Sequence, residues 1–533
     1  MRFYKLFFIK VAIALASNSF LPLPLAAAER FTFNYGLLGF KLAIADLELF
    51  VEQGEINNRL NFYLKRVSAG KQEKLRTFLQ KSYAVDPVLA YRFTKTSVGE
   101  KVLQRLGDIV QIPEDLNGFY GLRAAIVNTA SSSEDFNVIN LAKRFPVNVK
   151  LNLEEVLNLT KQISRSEAET KKFIDALKEQ DLDVESLEGS KAARALANLG
   201  SFDVVKQQIR FEDIKRDRQI NTVLYTPEQT GSKAATTKFP VIIVSNGLGA
   251  RPSRFDELAN HLASYGFGVV VIDHPGSNHD RQQEFIKGLH QENFAASDYI
   301  DRPLDVSFIL DSLSEPSHDH FANQLDLEQV GIFGYSIGGT TALSLTGAKI
   351  DFHQLEKECQ EKLDLTNISI LYQCRALELE GSQKLGSQNL KSGFNLKDDR
   401  IKAAFLFVPF GKSLFNQAEL SEITTPMLWQ VVDKDFLTSL TKEQLPIYNA
   451  LNNSDRHLVL SENLPHSTAI LAKSRSQTQQ NQAQISRRYQ NILSLVFFRS
   501  YLTKQENFST KLDQHLLRSI EEKPYSLYLH HQN

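Results

Sequence analysis

The sequence predicts an α/β protein, a mostly parallel sheet with helices on both faces, preceded by a small N-terminal α+β domain. Three observations predict it. From about residue 200, short continuous apolar runs alternate with stretches of helical spacing, as strands buried on both faces require. Polar residues able to do chemistry fall just beyond the ends of several such runs, where sites on parallel sheets lie. The part before residue 150 differs in kind, with alternating strand-like segments followed by short helices.

Taken in order, residues 1–28 read as a secretory signal peptide. Arg2, Lys5 and Lys10 open it, a mostly apolar stretch follows, and Ala26-Ala27-Ala28 supplies the small residues of a cleavage site before Glu29. Residues 29–150 form a domain of unknown function, opening on the strand-like Phe31–Tyr35 and Leu42–Phe50 and punctuated at Gly54, Asp86-Pro87 and Pro113. The charged helical residues 151–200 read as a connector. Residues 201–505 carry the α/β pattern. An antiparallel pair, Val204–Phe211 and Ile220–Tyr225, leads into the buried strands PVIIVS (240–245), FGVVVID (267–273), VGIFG (330–334), AAFLFVP (403–409), MLWQVV (427–432) and HLVL (457–460). Within this domain, residues 349–400 form an insertion of the kind that covers a site as a cap or merely decorates the surface. The Gln-rich Gln477–Gln484 reads as a flexible linker before an apolar helix, and 506–533 as a C-terminal tail.

Composition narrows the function classes. The 533 residues hold 61 Lys+Arg against 62 Asp+Glu, a formal charge of −1. Removing residues 1–28 takes away three basic and no acidic residues, leaving 58 against 62, or −4. Neither balance carries the basic footprint of a nucleic-acid binder. No segment of the mature chain is long and apolar enough to predict a transmembrane helix. Cys359 and Cys374, the two cysteines, lie 15 apart; they are a disulfide candidate in an oxidising compartment and otherwise two free thiols. No metal-ligand spacing and no cofactor motif stands out.

The chemistry concentrates at loop ends. Gly334-Tyr335-Ser336-Ile337-Gly338 follows a predicted strand and opens a predicted helix, which exposes a serine hydroxyl on a sharp turn between small residues. A serine hydroxyl needs a base held against it and a carboxylate to orient that base. In this motif class the order along the chain is serine, acid, histidine. His466, beyond the strand at 457–460, is the candidate base. Asp435, deeper in the loop after 427–432, is the candidate acid, with Asp433 as its rival. His457 lies inside its strand and is expected to pack or hydrogen-bond there. The backbone N–H of Ile337, and that of Leu248 in the loop Asn246-Gly247-Leu248-Gly249, are the candidate oxyanion donors.

The run PVIIVSNGLGARPSRFDELANHLASYGFGVVVIDHPGS, the segment RPLDVSFILDSL and GIFGYSIGGTTAL together resemble the α/β-hydrolase superfamily. Within it they look most like the platelet-activating-factor acetylhydrolase and dienelactone-hydrolase-like branch. The resemblance covers roughly residues 202–470 and implies Ser336 as nucleophile, His466 as base, and Leu248 and Ile337 as oxyanion amides. Two departures stand out. The family's first glycine loop usually reads His-Gly where this chain has Asn246-Gly247, which removes an imidazole that supports the loop. The acetylhydrolase branch places its acid after the sixth strand, where this chain has Val408-Pro409-Phe410; that favours Asp435 and weakens the link to acetylhydrolase substrates. The front part, AERFTFNYGLLGFKLAIADLELFVEQGEI through DLNGFYGLRAAI, is similar to an uncharacterised N-terminal domain of exported cyanobacterial-type hydrolases.

These features point to an exported serine esterase, in the periplasm, a thylakoid lumen or the extracellular space. It would cleave lipid or short-chain acyl esters through an acyl-enzyme and need no cofactor. A dienelactone-type hydrolase or peptidase on the same triad is the alternative within enzymes. A non-catalytic exported binding protein is the alternative outside them.

Overall fold

The computed structural model describes residues 27–180, 191–228, 238–380, 395–466, 477–503 and 511–530. The predicted signal segment lies outside them up to residue 26. The chain divides into two compact units, residues 1–95 with 99–159, and 96–98 with 160–533.

The first unit holds a four-stranded sheet in the order β2-β1-β4-β3: β1 (Arg30–Tyr35), β2 (Leu38–Ala43), β3 (Val110–Gln111) and β4 (Val149–Leu151). Helices α1 (Ile44–Gln53) and α2 (Phe119–Ala130) contribute Ile44, Leu47, Phe50 and Ala125 to its core, together with Phe145 and Val149. Helix α3 (Leu153–Gln180) carries the chain into the second unit.

Among the described residues, nine strands build the main sheet: β5 (Val204–Asp213), β6 (Arg218–Pro227), β7 (Phe239–Ser245), β8 (Gly268–Asp273), β9 (Leu325–Tyr335), β10 (Ile401–Phe407), β11 (Met427–Lys434), β12 (Arg456–Pro465) and β13 (Leu527–His530). Their order is β13-β12-β11-β10-β9-β7-β8-β6-β5. The six from β8 to β12 run parallel, with an antiparallel pair β6 and β5 on one side and antiparallel β13 on the other. Both faces are covered, which is why the central strands read as unbroken apolar runs. In β7, Val241 and Ile243 join a core with Val306 and Ile309 of α5 (Asp298–Leu313). Alternate residues Ile242 and Val244 join a second core with Leu258 and Leu262 of α4 (Asp256–Ser264) and Ile492 and Val496 of α9 (Gln477–Leu502). Period-two alternation thus feeds two cores from one strand.

Two expectations for the C-terminal region need correction. Gln477–Gln484 is the first part of α9, not a linker: Gln and Ala favour helix, Ala483 is buried, and Gln482 Nε2 donates to the Asn463 carbonyl at 3.1 Å. Residues 506–533 are not simply a tail, because α10 (Gln514–Ile520) and β13 pack onto the sheet. Leu516, Leu517, Ile520, Leu527 and Leu529 enter the second core, and that burial anchors the segment. Residues 504–510 and 531–533 lie outside the described residues.

The insertion at 349–400 forms α7 (Phe352–Cys359) and α8 (Ser369–Cys374), joined by a Cys359–Cys374 disulfide; residues 381–394 lie outside the described residues. Its described part docks on the loop after β11, with the Ser369 N–H donating to the Leu437 carbonyl at 3.0 Å. Among the described residues, no helix is long and apolar enough to cross a membrane.

Candidate active site

Ser336 sits between the end of β9 and α6 (Ile337–Thr346) with φ 55° and ψ −117°, a backbone conformation that costs a non-glycine residue about 1–3 kcal/mol. The surrounding glycines make the turn possible. A Cβ on Gly338 would lie 1.9 Å from the Ser245 carbonyl oxygen, and one on Gly334 2.3 Å from that of Gly338. The Ser336 N–H donates to the Phe407 carbonyl at 2.9 Å, which ties the turn to the neighbouring strand. Ser336 is partly exposed while the residues around it are buried. Strain, packing and exposure together hold its hydroxyl above the strand ends.

The structure brings three of the predicted residues together. His466 Nε2 lies 3.2 Å from Ser336 Oγ, and His466 Nδ1 lies 2.8 Å from Asp435 Oδ2. The Asp435 side chain is fully buried, and its carboxylate is fixed from every side. Oδ1 accepts the Leu437 and Thr438 N–H groups at 2.9 and 2.8 Å, and Oδ2 accepts the Thr438 hydroxyl at 2.6 Å. Asp433 takes no part in this chain. Its Oδ1 accepts the Asn463 N–H at 2.7 Å, and burial pushes its carboxyl above the usual range. His457 Nε2 lies 3.2 Å from the Tyr501 hydroxyl, away from the serine. Val408, where the acetylhydrolase branch would place its acid, is buried with φ 44° and offers only its carbonyl to Thr438 Oγ1, at 3.4 Å.

The loop after β7 lies against the serine: a Cβ on Gly247 would sit 3.6 Å from Ser336 Cβ. Neither the Leu248 nor the Ile337 N–H donates to an acceptor among the described residues.

Sequence reasoning missed what supports that loop. Arg302 of α5 is fully buried; its Nη1 donates to the Asn246 carbonyl at 2.8 Å and its Nε to Ser277 Oγ at 2.9 Å. A buried guanidinium thus holds the backbone of the Asn246-Gly247 loop. Burial pulls it down to about 10, while Asp298 and Asp305 act to keep it charged. Beside it runs a second Ser–His–Asp chain: Ser245 Oγ lies 3.0 Å from His274 Nε2, and His274 Nδ1 lies 3.0 Å from Asp305 Oδ2. Burial, then the Arg302 charge, push His274 down to about 4, so this imidazole is neutral. Burial would raise Asp305, but the His274 hydrogen bond and the Arg218 charge outweigh it and hold the carboxylate low. All three members are fully buried, so this chain braces the sheet end and presents no nucleophile. Only RPLD, in which Arg302 and Asp305 lie three apart on one helix face, hinted at it.

Comparison with known families agrees with this architecture. Residues 27–152 match a family described as alpha/beta hydrolase of unknown function (DUF1400), and residues 240–349 match the alpha/beta hydrolase fold family. No curated protein matches the chain.

Proposed function

The chain has the α/β-hydrolase fold, and on that premise we propose that it is an exported serine hydrolase that cleaves carboxylic esters through an acyl-enzyme. The observation that carries the reading is the Ser336–His466–Asp435 chain at the strand ends, its partly exposed serine on a strained turn.

In this reading His466 Nε2 takes the Ser336 proton as Oγ attacks the ester carbonyl. The Leu248 and Ile337 amides stabilise the tetrahedral oxyanion. Asp435 holds the Nδ1–H tautomer and stabilises the imidazolium. Collapse of the intermediate breaks the bond to the alcohol, which leaves with the proton from His466. Water, deprotonated by the same imidazole, then attacks the acyl-enzyme, and the acid departs as Ser336 recovers its proton. Lipid or short-chain acyl esters are the substrates we favour, on the resemblance alone. The signal-like N-terminus and the Cys359–Cys374 disulfide support export to an oxidising compartment.

A fluorophosphonate probe tests the reading directly. Wild-type protein should be labelled covalently, and Ser336→Ala should not. A folded wild type that takes no label would sink the proposal.

A further inference from the structure

We propose that Arg251 and Arg254 form an anion subsite beside the triad, which selects esters carrying a carboxylate or phosphate near the scissile bond. This deepens the serine-hydrolase reading and rests on it. A cavity of about 510 Å3 opens next to His466, and its wall includes Arg251, Arg254, Arg487, Asp256 and Glu257.

The charges there do not cancel. Glu257 is matched by Arg487 at 2.8 Å and also accepts from Asn491 at 3.3 Å. Asp256 is matched by Lys206 at 2.8 Å and by the Tyr225 hydroxyl at 2.5 Å. Arg251 and Arg254 meet no carboxylate among the described residues. Arg251 Nη2 lies 2.6 Å from His279 Nε2, and Arg254 lies over the Tyr335 ring at 4.7 Å from its centroid. Both wall carboxylates are therefore satisfied, and two guanidiniums are left over.

Their place gives the surplus a use. Tyr335 directly precedes Ser336, its ring centroid is 5.6 Å from that of His466, and its hydroxyl donates to the His466 carbonyl at 3.2 Å. The Arg254 guanidinium and the His466 imidazole thus both pack against the Tyr335 ring. Both arginines are exposed, so neither is there to stabilise the core. Guanidinium forks match carboxylate and phosphate oxygens two at a time, which positions an anion as well as attracting it.

The test uses full-length protein and two matched ester pairs. The half-ester of succinic acid with 4-nitrophenol is compared with 4-nitrophenyl butyrate, and 2-acetoxyethyl phosphate with 2-acetoxyethanol. The pairs separate carboxylate on the acyl side from phosphate on the alcohol side. Wild type should favour the anionic member of at least one pair in kcat/KM by about tenfold, as a charge-assisted contact supplies. Arg251→Gln and Arg254→Gln should each reduce that ratio, their combination should abolish it, Arg251→Lys should retain part of it, and added salt should weaken it. Probe labelling without an anionic preference, or a preference that survives in the double variant, overturns the subsite alone. Failure of the probe to label folded wild type overturns the underlying hydrolase reading as well.

Discussion

In the proposed mechanism, replacing Asp435 with asparagine should abolish ester hydrolysis without unfolding the protein. The carboxylate accepts four hydrogen bonds: two backbone amides on Oδ1, and the Thr438 hydroxyl and His466 Nδ1–H on Oδ2. An asparagine keeps its oxygen on the two amides, which leaves an NH2 facing His466 Nδ1. That NH2 donates where the carboxylate accepted and so favours the Nε2–H tautomer. The imidazole would then point a hydrogen at Ser336 Oγ instead of a lone pair, and the base is lost. Comparable tautomer errors lower kcat about 10⁴-fold, equivalent to about 5 kcal/mol of barrier. Hydrolysis of 4-nitrophenyl acetate and the rate of fluorophosphonate labelling should fall together, with KM nearly unchanged and the thermal midpoint within a few degrees of wild type. Asp433→Asn is the control, since that side chain caps the Asn463 N–H and touches no triad member. Activity within tenfold of wild type in Asp435→Asn, or a large loss confined to Asp433→Asn, would refute the assignment.

Two further outcomes concern stability. The Cys359–Cys374 bond closes a loop of 15 residues, so replacing both cysteines by alanine should lower unfolding free energy by about 3 kcal/mol, read from urea midpoints; no change would show that the insertion is held by its packing alone. Burial pushes His261 and His274 each to about 4, below the ordinary 6.5, and Arg302 adds to the shift at His274. Their stabilisation is complete above pH 6.5 and is lost as pH falls towards 4, because the unfolded chain takes up protons that the folded one refuses. His261→Leu should therefore flatten the fall in urea midpoint between pH 7 and pH 5. Asp273, raised to about 6 by burial, acts in the opposite sense, so the comparison is between variant and wild type at each pH.

The parallel sheet was legible because the middles of its strands are buried on both faces and read as mostly apolar runs; Val241–Val244 is the plainest case. The serine turn was legible because steric crowding at Gly334 and Gly338 writes itself into the sequence. The choice between Asp433 and Asp435 was not fully legible. It depends on an irregularity in the β11–β12 pairing between Val432 and Lys434, where Asp433 accepts from the Asn463 N–H within β12 and Asp435 enters the turn whose amides hold it. Local composition also misled at Gln477–Gln484, where polarity suggested a linker although the residues favour helix and a buried face lay further along. The Arg302 clamp on Asn246 was missed for a different reason. The partners are 56 residues apart, and RPLD places Arg302 and Asp305 on one helix face without showing that either is buried.

The placement of β13 bears on how the protein is made. His466 follows β12, whose outer neighbour comes from residues 527–530. During synthesis from the N-terminus, every triad residue emerges before the strand that closes this side of the sheet. Until then Leu458, Val459 and Leu460 belong to an open edge, a template for pairing with other chains. A nascent chain stopped near residue 505 would hold Ser336, Asp435 and His466 and still be prone to aggregate. The last strand thus works as a seal, applied after the chemistry is already in place.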